Sequence, residues 1–128
     1  MEVRKELLYA TTHEWVLKKD GVIRIGITDY AQDSLTDIVY AELPEVGNYY
    51  KKGDVIATLE SVKSVAEIYA PASGKVVAVN EKVEEEPGII NESPYDDGWL
   101  VEMEIENEEE LDDLMDAEQY EELISKDL

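Results

Sequence analysis

Cysteine is absent from this 128-residue chain, and histidine occurs once. The lack of cysteine removes disulfides, thiol nucleophiles and thiolate metal sites, and it fits a reducing compartment. With His13 as the sole imidazole, a nucleophile held beside a histidine base is not expected. The "HEW" at His13 lacks the second histidine one turn later that a zinc-protease helix requires. Positive charge is also scarce, 11 Lys and Arg against 32 Asp and Glu, for a net −21. Such a surface repels phosphate backbones and anionic headgroups and favours partners with basic faces. No apolar run approaches the roughly 18 residues of a membrane span, and "MEVRKELLYA" has no signal-peptide apolar stretch. The expectation is a soluble cytoplasmic protein with no nucleic-acid, membrane or metal partner.

Enzyme signatures are missing as well. There is no GxGxxG, no GxxxxGK[ST] and no calcium loop, since "DDG" at Asp96 to Gly98 lacks alternating oxygen ligands. Carboxylate pairs are so abundant that none has weight as an acid and base. No catalytic residue is assigned.

What is present reads as β structure. "EWVLKKDGVIRIGI" alternates around Asp20-Gly21, a hairpin turn signal, so two strands are expected from Glu14 to Ile27. Thr28 is placed to cap a short helix through "DYAQDSL". "DIVYAEL" resumes strand character, ended by Pro44. Short strands punctuated by Gly47, Gly53 and Gly74 follow. A shift of 27 positions puts Pro44 on Pro71, Gly47 on Gly74, Gly53 on Asn80 and Asp54 on Glu81. Glycine and asparagine both tolerate positive φ, so Gly53 and Asn80 are read as equivalent turns between strands. Pro87 is placed to open a short helix at its first position, and "LVEMEI" alternates as a strand.

From Glu106 to Leu128 there are eleven acidic residues and one lysine. Leu111, Leu114 and Met115, then Tyr120, Leu123 and Ile124, fall at helical spacing. Asn107 with Glu110, and Asp116 with Gln119, have the spacing of capping boxes. The fold class is therefore mainly β, a flattened barrel or sandwich of two quasi-symmetric small sheets, with an N-terminal hairpin, short helices and C-terminal amphipathic helices. Residues 1–128 are read as one domain, its core at about 9–105 and a helical segment at about 107–126.

Between the repeat copies lies "ESVKSVAEIYAP", where Lys63 is the only positive charge between Lys52 and Lys75. "SVK" is too short for anything but a tight turn, which puts the amine at a hairpin tip. Two readings stay open on the residues alone: a solubilising surface lysine, or a protruding amine presented for covalent modification. A Schiff-base lysine needs burial or a cationic neighbour, and the tip supplies neither.

"ESVKSVAEIYAPASGKVVAVN" resembles the lipoyl-lysine segment of the glycine cleavage system H proteins, and the likeness extends through "THEWV", "IGITDYAQDSL", "DIVYAELPEVG" and "ESPYDDGWL". Lipoyl domains of 2-oxo-acid dehydrogenase complexes share the central hairpin but lack the Thr-His-Glu-Trp opening and the C-terminal helices. Biotin carriers usually flank their lysine with methionines, unlike Val62 and Ser64. The resemblance implies a hybrid lipoyl/biotinyl-carrier-like fold and a carrier, not an enzyme, with lipoic acid joined to Lys63. It implies shuttling of the aminomethyl group of glycine from glycine decarboxylase (P protein) to aminomethyltransferase (T protein), with reoxidation by dihydrolipoyl dehydrogenase (L protein). Attachment would fall to a lipoate ligase or a lipoyl/octanoyl transferase. Glu14 and Glu67 are implied beside the cleft of the loaded arm, although each also reads as an ordinary strand carboxylate. Glu60, Ser61 and Ser64 are candidates for recognition by the lipoylating enzyme, the serines also as turn formers. Many relatives have glycine where Thr36 stands and some have histidine at the place of Ser34, so the turn at Thr36 can be built differently here. Two alternatives accompany this reading: a lipoyl relay serving other complexes, and an unmodified acidic interaction module. A shuttle visiting three enzymes is best served by a compact monomer.

Overall fold

The computed structural model describes residues 1–126. The chain runs through β1 (Leu8–Tyr9), β2 (Glu14–Lys19), β3 (Val22–Ile27), α1 (Asp29–Leu35), β4 (Ile38–Glu42), β5 (Tyr49–Tyr50), β6 (Val55–Ser61), β7 (Val65–Tyr69) and β8 (Gly74–Val79). It continues through α2 (Glu81–Glu85), α3 (Ile89–Glu92), β9 (Val101–Ile105), a 3-10 turn (Glu108–Leu111) and α4 (Ala117–Ser125). Two antiparallel sheets result, one ordered β1-β2-β3-β9-β8-β5 and a smaller one ordered β4-β6-β7. The architecture is a mainly β flattened sandwich with short helices. Among the described residues no helix is long and apolar enough to cross a membrane.

Period-two alternation explains the layering. Ile23, Ile25 and Ile27 project from one face of β3 into a core shared with Leu59 and Ile68 of the small sheet and with Val76 and Met103. Asp20 and Gly21 both have positive φ, 48° and 80°, as the primed two-residue turn between β2 and β3 requires. A second, aromatic cluster lies under the N-terminal strap and α4, where Tyr9 stacks on Tyr120 with centroids 4.5 Å apart. Trp15 packs against Gly26, its cross-strand partner, and donates its indole N–H to the Pro94 carbonyl at 2.9 Å.

Helix starts follow their caps. Thr28 Oγ1 accepts from the Ala31 amide at 3.2 Å, beginning α1 as expected. Asp116 and Gln119 form a full capping box on α4. Asn107 accepts from Glu109, not within a box, because Glu110 turns away to accept from the amide and hydroxyl of Ser73. The first C-terminal helix is accordingly a four-residue 3-10 turn. Two local expectations fail. Asn80 is extended, with φ −90°, and leads into α2 where its repeat partner Gly53, with φ 91°, leads into a strand. The Asn80 side chain instead donates to the carbonyls of Asp97 and Trp99, a tertiary role that repeat spacing does not disclose. Pro87 lies two residues before α3, which starts at Ile89 after Gly88.

Candidate functional site

Strands β6 and β7 pair from Val55 with Tyr69 to Glu60 with Val65, so the hairpin closes at Ser61 to Ser64. The Ser61 amide donates to the Ser64 carbonyl at 2.8 Å. The Ser61 hydroxyl oxygen accepts from the amides of Ser64 at 3.0 Å and Lys63 at 3.3 Å. These bonds satisfy the turn locally and leave Val62 and Lys63 at its tip. Val62 and Val65 are exposed around the amine, as is Glu60 at the end of β6. Lys63 is itself exposed and makes no ion pair among the described residues.

Two cavities are lined in part by β7. One, of about 330 Å³, is walled by Tyr30, Ser34 and Leu35 of α1 and by Glu67 and Ile68 of β7. The other, of about 350 Å³, is lined by Glu14, Tyr69, Pro71, Lys52 and Asp113. Thr12 lines both. Glu67 stands on β7 four residues past Lys63 in the chain. A third cavity, of about 380 Å³, is walled by Arg4, Arg24 and Trp99 and contains no residue of the β6–β7 hairpin.

The carboxylates expected near the arm sit in contrasting settings. Glu14 is buried, only 1% exposed. Its carboxylate accepts the Thr12 hydroxyl and, at 3.2 Å, the Tyr69 amide, which joins the edge strand β7 to β2. Burial pushes its pKa up, and the Thr12 and Tyr69 hydrogen bonds oppose that shift. No cation pairs with Glu14 among the described residues. Lys52, in the same cavity, is committed to Asp113 at 2.8 Å and to the Glu110 carbonyl at 2.5 Å. A buried carboxylate that lacks a counter-charge favours a cationic guest.

Glu67, by contrast, is exposed and receives the Tyr69 hydroxyl at 3.4 Å. Its charge is the main reason the Tyr69 phenol is pushed up. Glu14 and Glu67 therefore line different cavities, joined through Thr12 and Tyr69. Ser34 also lines the α1 cavity, and His13 beside it bonds through Nδ1 to the Tyr120 hydroxyl at 2.8 Å. Sequence reasoning missed Thr12, Lys52 and Asp113. The first stands within the "THEWV" segment, whereas nothing local marks the other two, which the chain brings in from the β5–β6 connection and from the stretch after the 3-10 turn.

Comparison with known proteins shows the family of the chain. The family model for the glycine cleavage H-protein matches residues 7–127. A glycine cleavage system H protein from Oceanobacillus iheyensis is 51% identical over 124 residues, 97% of this chain and 98% of that protein. One from Thermotoga maritima is 52% identical over 119 residues, 93% of this chain and 96% of that protein. The crystal structure of a glycine cleavage system H protein from Mycobacterium marinum superposes with a TM-score of 0.87 at 32% identity, covering 96% of this chain and 99% of that one.

Proposed function

Taking as premise that the chain belongs to the glycine cleavage H-protein family and serves that system as a carrier subunit and not as a catalyst, we propose that Lys63 carries lipoate in amide linkage. Lipoate held there would supply a dithiolane able to accept, with opening of its disulfide, the aminomethyl group left when glycine loses carbon dioxide at the P protein, to yield it at the T protein with release of ammonia, and to be restored by the L protein. The observation that carries this reading is the position of Lys63: an exposed amine, without an ion pair among the described residues, on a turn pinned by Ser61. A modifying enzyme, a lipoate ligase or a lipoyl/octanoyl transferase, must enclose that amine. Glu60 and the exposed valines at the tip offer the adjacent contacts.

Glu14 and its neighbours give the carrier a place to protect its cargo. An aminomethyl thioether is labile in water and cationic near neutral pH, so holding it against a buried carboxylate both neutralises and shields it. Thr12 and the Tyr69 amide orient that carboxylate. Glu67 lines the neighbouring α1 cavity, on the same side of β7 as Tyr69. The apolar wall of the α1 cavity, with Ile27, Leu35 and Ile68, suits the hydrocarbon part of the arm.

The test is glycine-dependent exchange of labelled bicarbonate into the glycine carboxyl group, catalysed by a P protein supplied with the lipoylated chain. Exchange is expected with the native chain and lost with Lys63→Ala. Equal exchange by the two chains would contradict the assignment.

A further inference from the structure

We infer that Asn91 is a positioning residue that holds the hairpin tip in the form in which Lys63 is presented for modification, an inference that rests on the reading of Lys63 as the attachment site. Beyond the β4–β6 ladder, which pairs Ile38 with Ser61, the tip is tied to the α1–β4 connection by the Val62 amide, which donates to the Asp37 carbonyl at 3.1 Å. Asp37 lies in the two-residue connection between α1 and β4, and no side chain hydrogen-bonds Asp37 itself among the described residues. Its two neighbours are held by a single amide. Asn91 Nδ2 donates to the Thr36 carbonyl at 2.7 Å, and Asn91 Oδ1 accepts from the Ile38 amide at 2.9 Å. Its second N–H reaches Gln32 Oε1 at 3.0 Å. Two of the three bonds made by this side chain thus clamp the residues on either side of the carbonyl that receives Val62, and the third ties the amide to α1.

The clamp is needed because the segment is strained. Thr36 has φ 63° and ψ −150°, a region occupied almost only by glycine. Such a conformation persists where surrounding bonds over-determine it. Without Asn91 the connection relaxes, the Asp37 carbonyl moves and Val62 loses its acceptor. The tip keeps its internal Ser61 bonds, so it stays a turn but samples more orientations. A ligase that binds one orientation then meets a smaller competent fraction, and its apparent affinity falls by that fraction while the chemical step is unchanged.

The experiment uses the full unmodified chain, a lipoate ligase, lipoate and ATP, with initial rates and amide hydrogen exchange measured in parallel. In Asn91→Ala the KM for the protein substrate is expected to rise about threefold to tenfold with kcat unchanged, and the Val62 amide to exchange faster by a similar factor. Asn91→Asp, which keeps the acceptor for Ile38 but loses the donors, is expected to shift the same way and serves if the alanine variant does not fold. Ile23→Val, a core change far from the tip, lowers stability but should leave both readouts at the native values. A native KM and a protected Val62 amide in a folded Asn91 variant overturn the inference. Failure of the native chain itself to be modified at Lys63 instead overturns the assignment of the lysine, and the exchange of Val62 then decides the mechanical claim by itself.

Discussion

The Tyr69 amide donates across 3.2 Å to the Glu14 carboxylate, so a buried acid of the large sheet completes the edge of the small one. Because burial raises the pKa of Glu14 above its ordinary 4.5, the folded state binds that proton more tightly than the unfolded chain does. The stabilisation this supplies is complete below about pH 4.5 and is lost as pH rises through the higher folded value. Glu14→Gln is therefore expected to melt higher than the native chain at neutral pH, with the difference shrinking toward pH 4.5, as read by calorimetry across pH. On the proposed function the same variant also removes the counter-charge for a cationic cargo. Formaldehyde release from the loaded carrier should accelerate roughly tenfold or more. A variant that is more stable and yet leakier separates the two roles.

Thr36 occupies a conformation suited to glycine without being glycine. Thr36→Gly relieves strain of about 1–3 kcal/mol and adds unfolded-state entropy worth about 0.5–1 kcal/mol. The net expectation is stabilisation by about 1 kcal/mol, seen as a rise in the urea midpoint at unchanged m-value.

A Cβ on Gly26 would lie 2.5 Å from the Trp15 indole. Gly26→Ala is expected to displace that ring from its bond to the Pro94 carbonyl and to cost about 2–3 kcal/mol. Tryptophan emission should shift to the red as Trp15 gains water.

The Tyr120 hydroxyl links the cap of α1 to the strand entering the site, bonding Thr28 Oγ1 at 2.7 Å and His13 Nδ1 at 2.8 Å. Tyr120→Phe keeps the stack on Tyr9 and removes only these bonds. Urea unfolding should show a loss of about 1–2 kcal/mol.

The parts of this molecule legible in sequence are those whose causes are local. Asp20-Gly21 carried the turn chemistry of the first hairpin, Thr28 and Asp116 carried their helix caps, and the gap between two apolar strands placed Lys63 at a tip. The residues that escaped reading are held by partners far along the chain. Asn80 matched a glycine in the repeat but is pulled extended by carbonyls 17 and 19 residues away. Glu110 had the spacing of a capping box and was recruited by Ser73, 37 residues away. Glu14 was singled out only through family resemblance, and its burial was not legible because it depends on β7 arriving with the Tyr69 amide. At Thr36 the departure from glycine suggested a different turn, whereas the chain retains a glycine-like backbone there, held by Asn91.

The central claim concerns one amine. Peptide-level mass spectrometry after incubation of the native chain with a lipoate ligase, lipoate and ATP tests it most directly. A lipoyl increment is predicted on the peptide containing Lys63 and on no other lysine, and Lys63→Ala should carry none. An unmodified Lys63, or an increment placed on another of the lysines, would contradict the account.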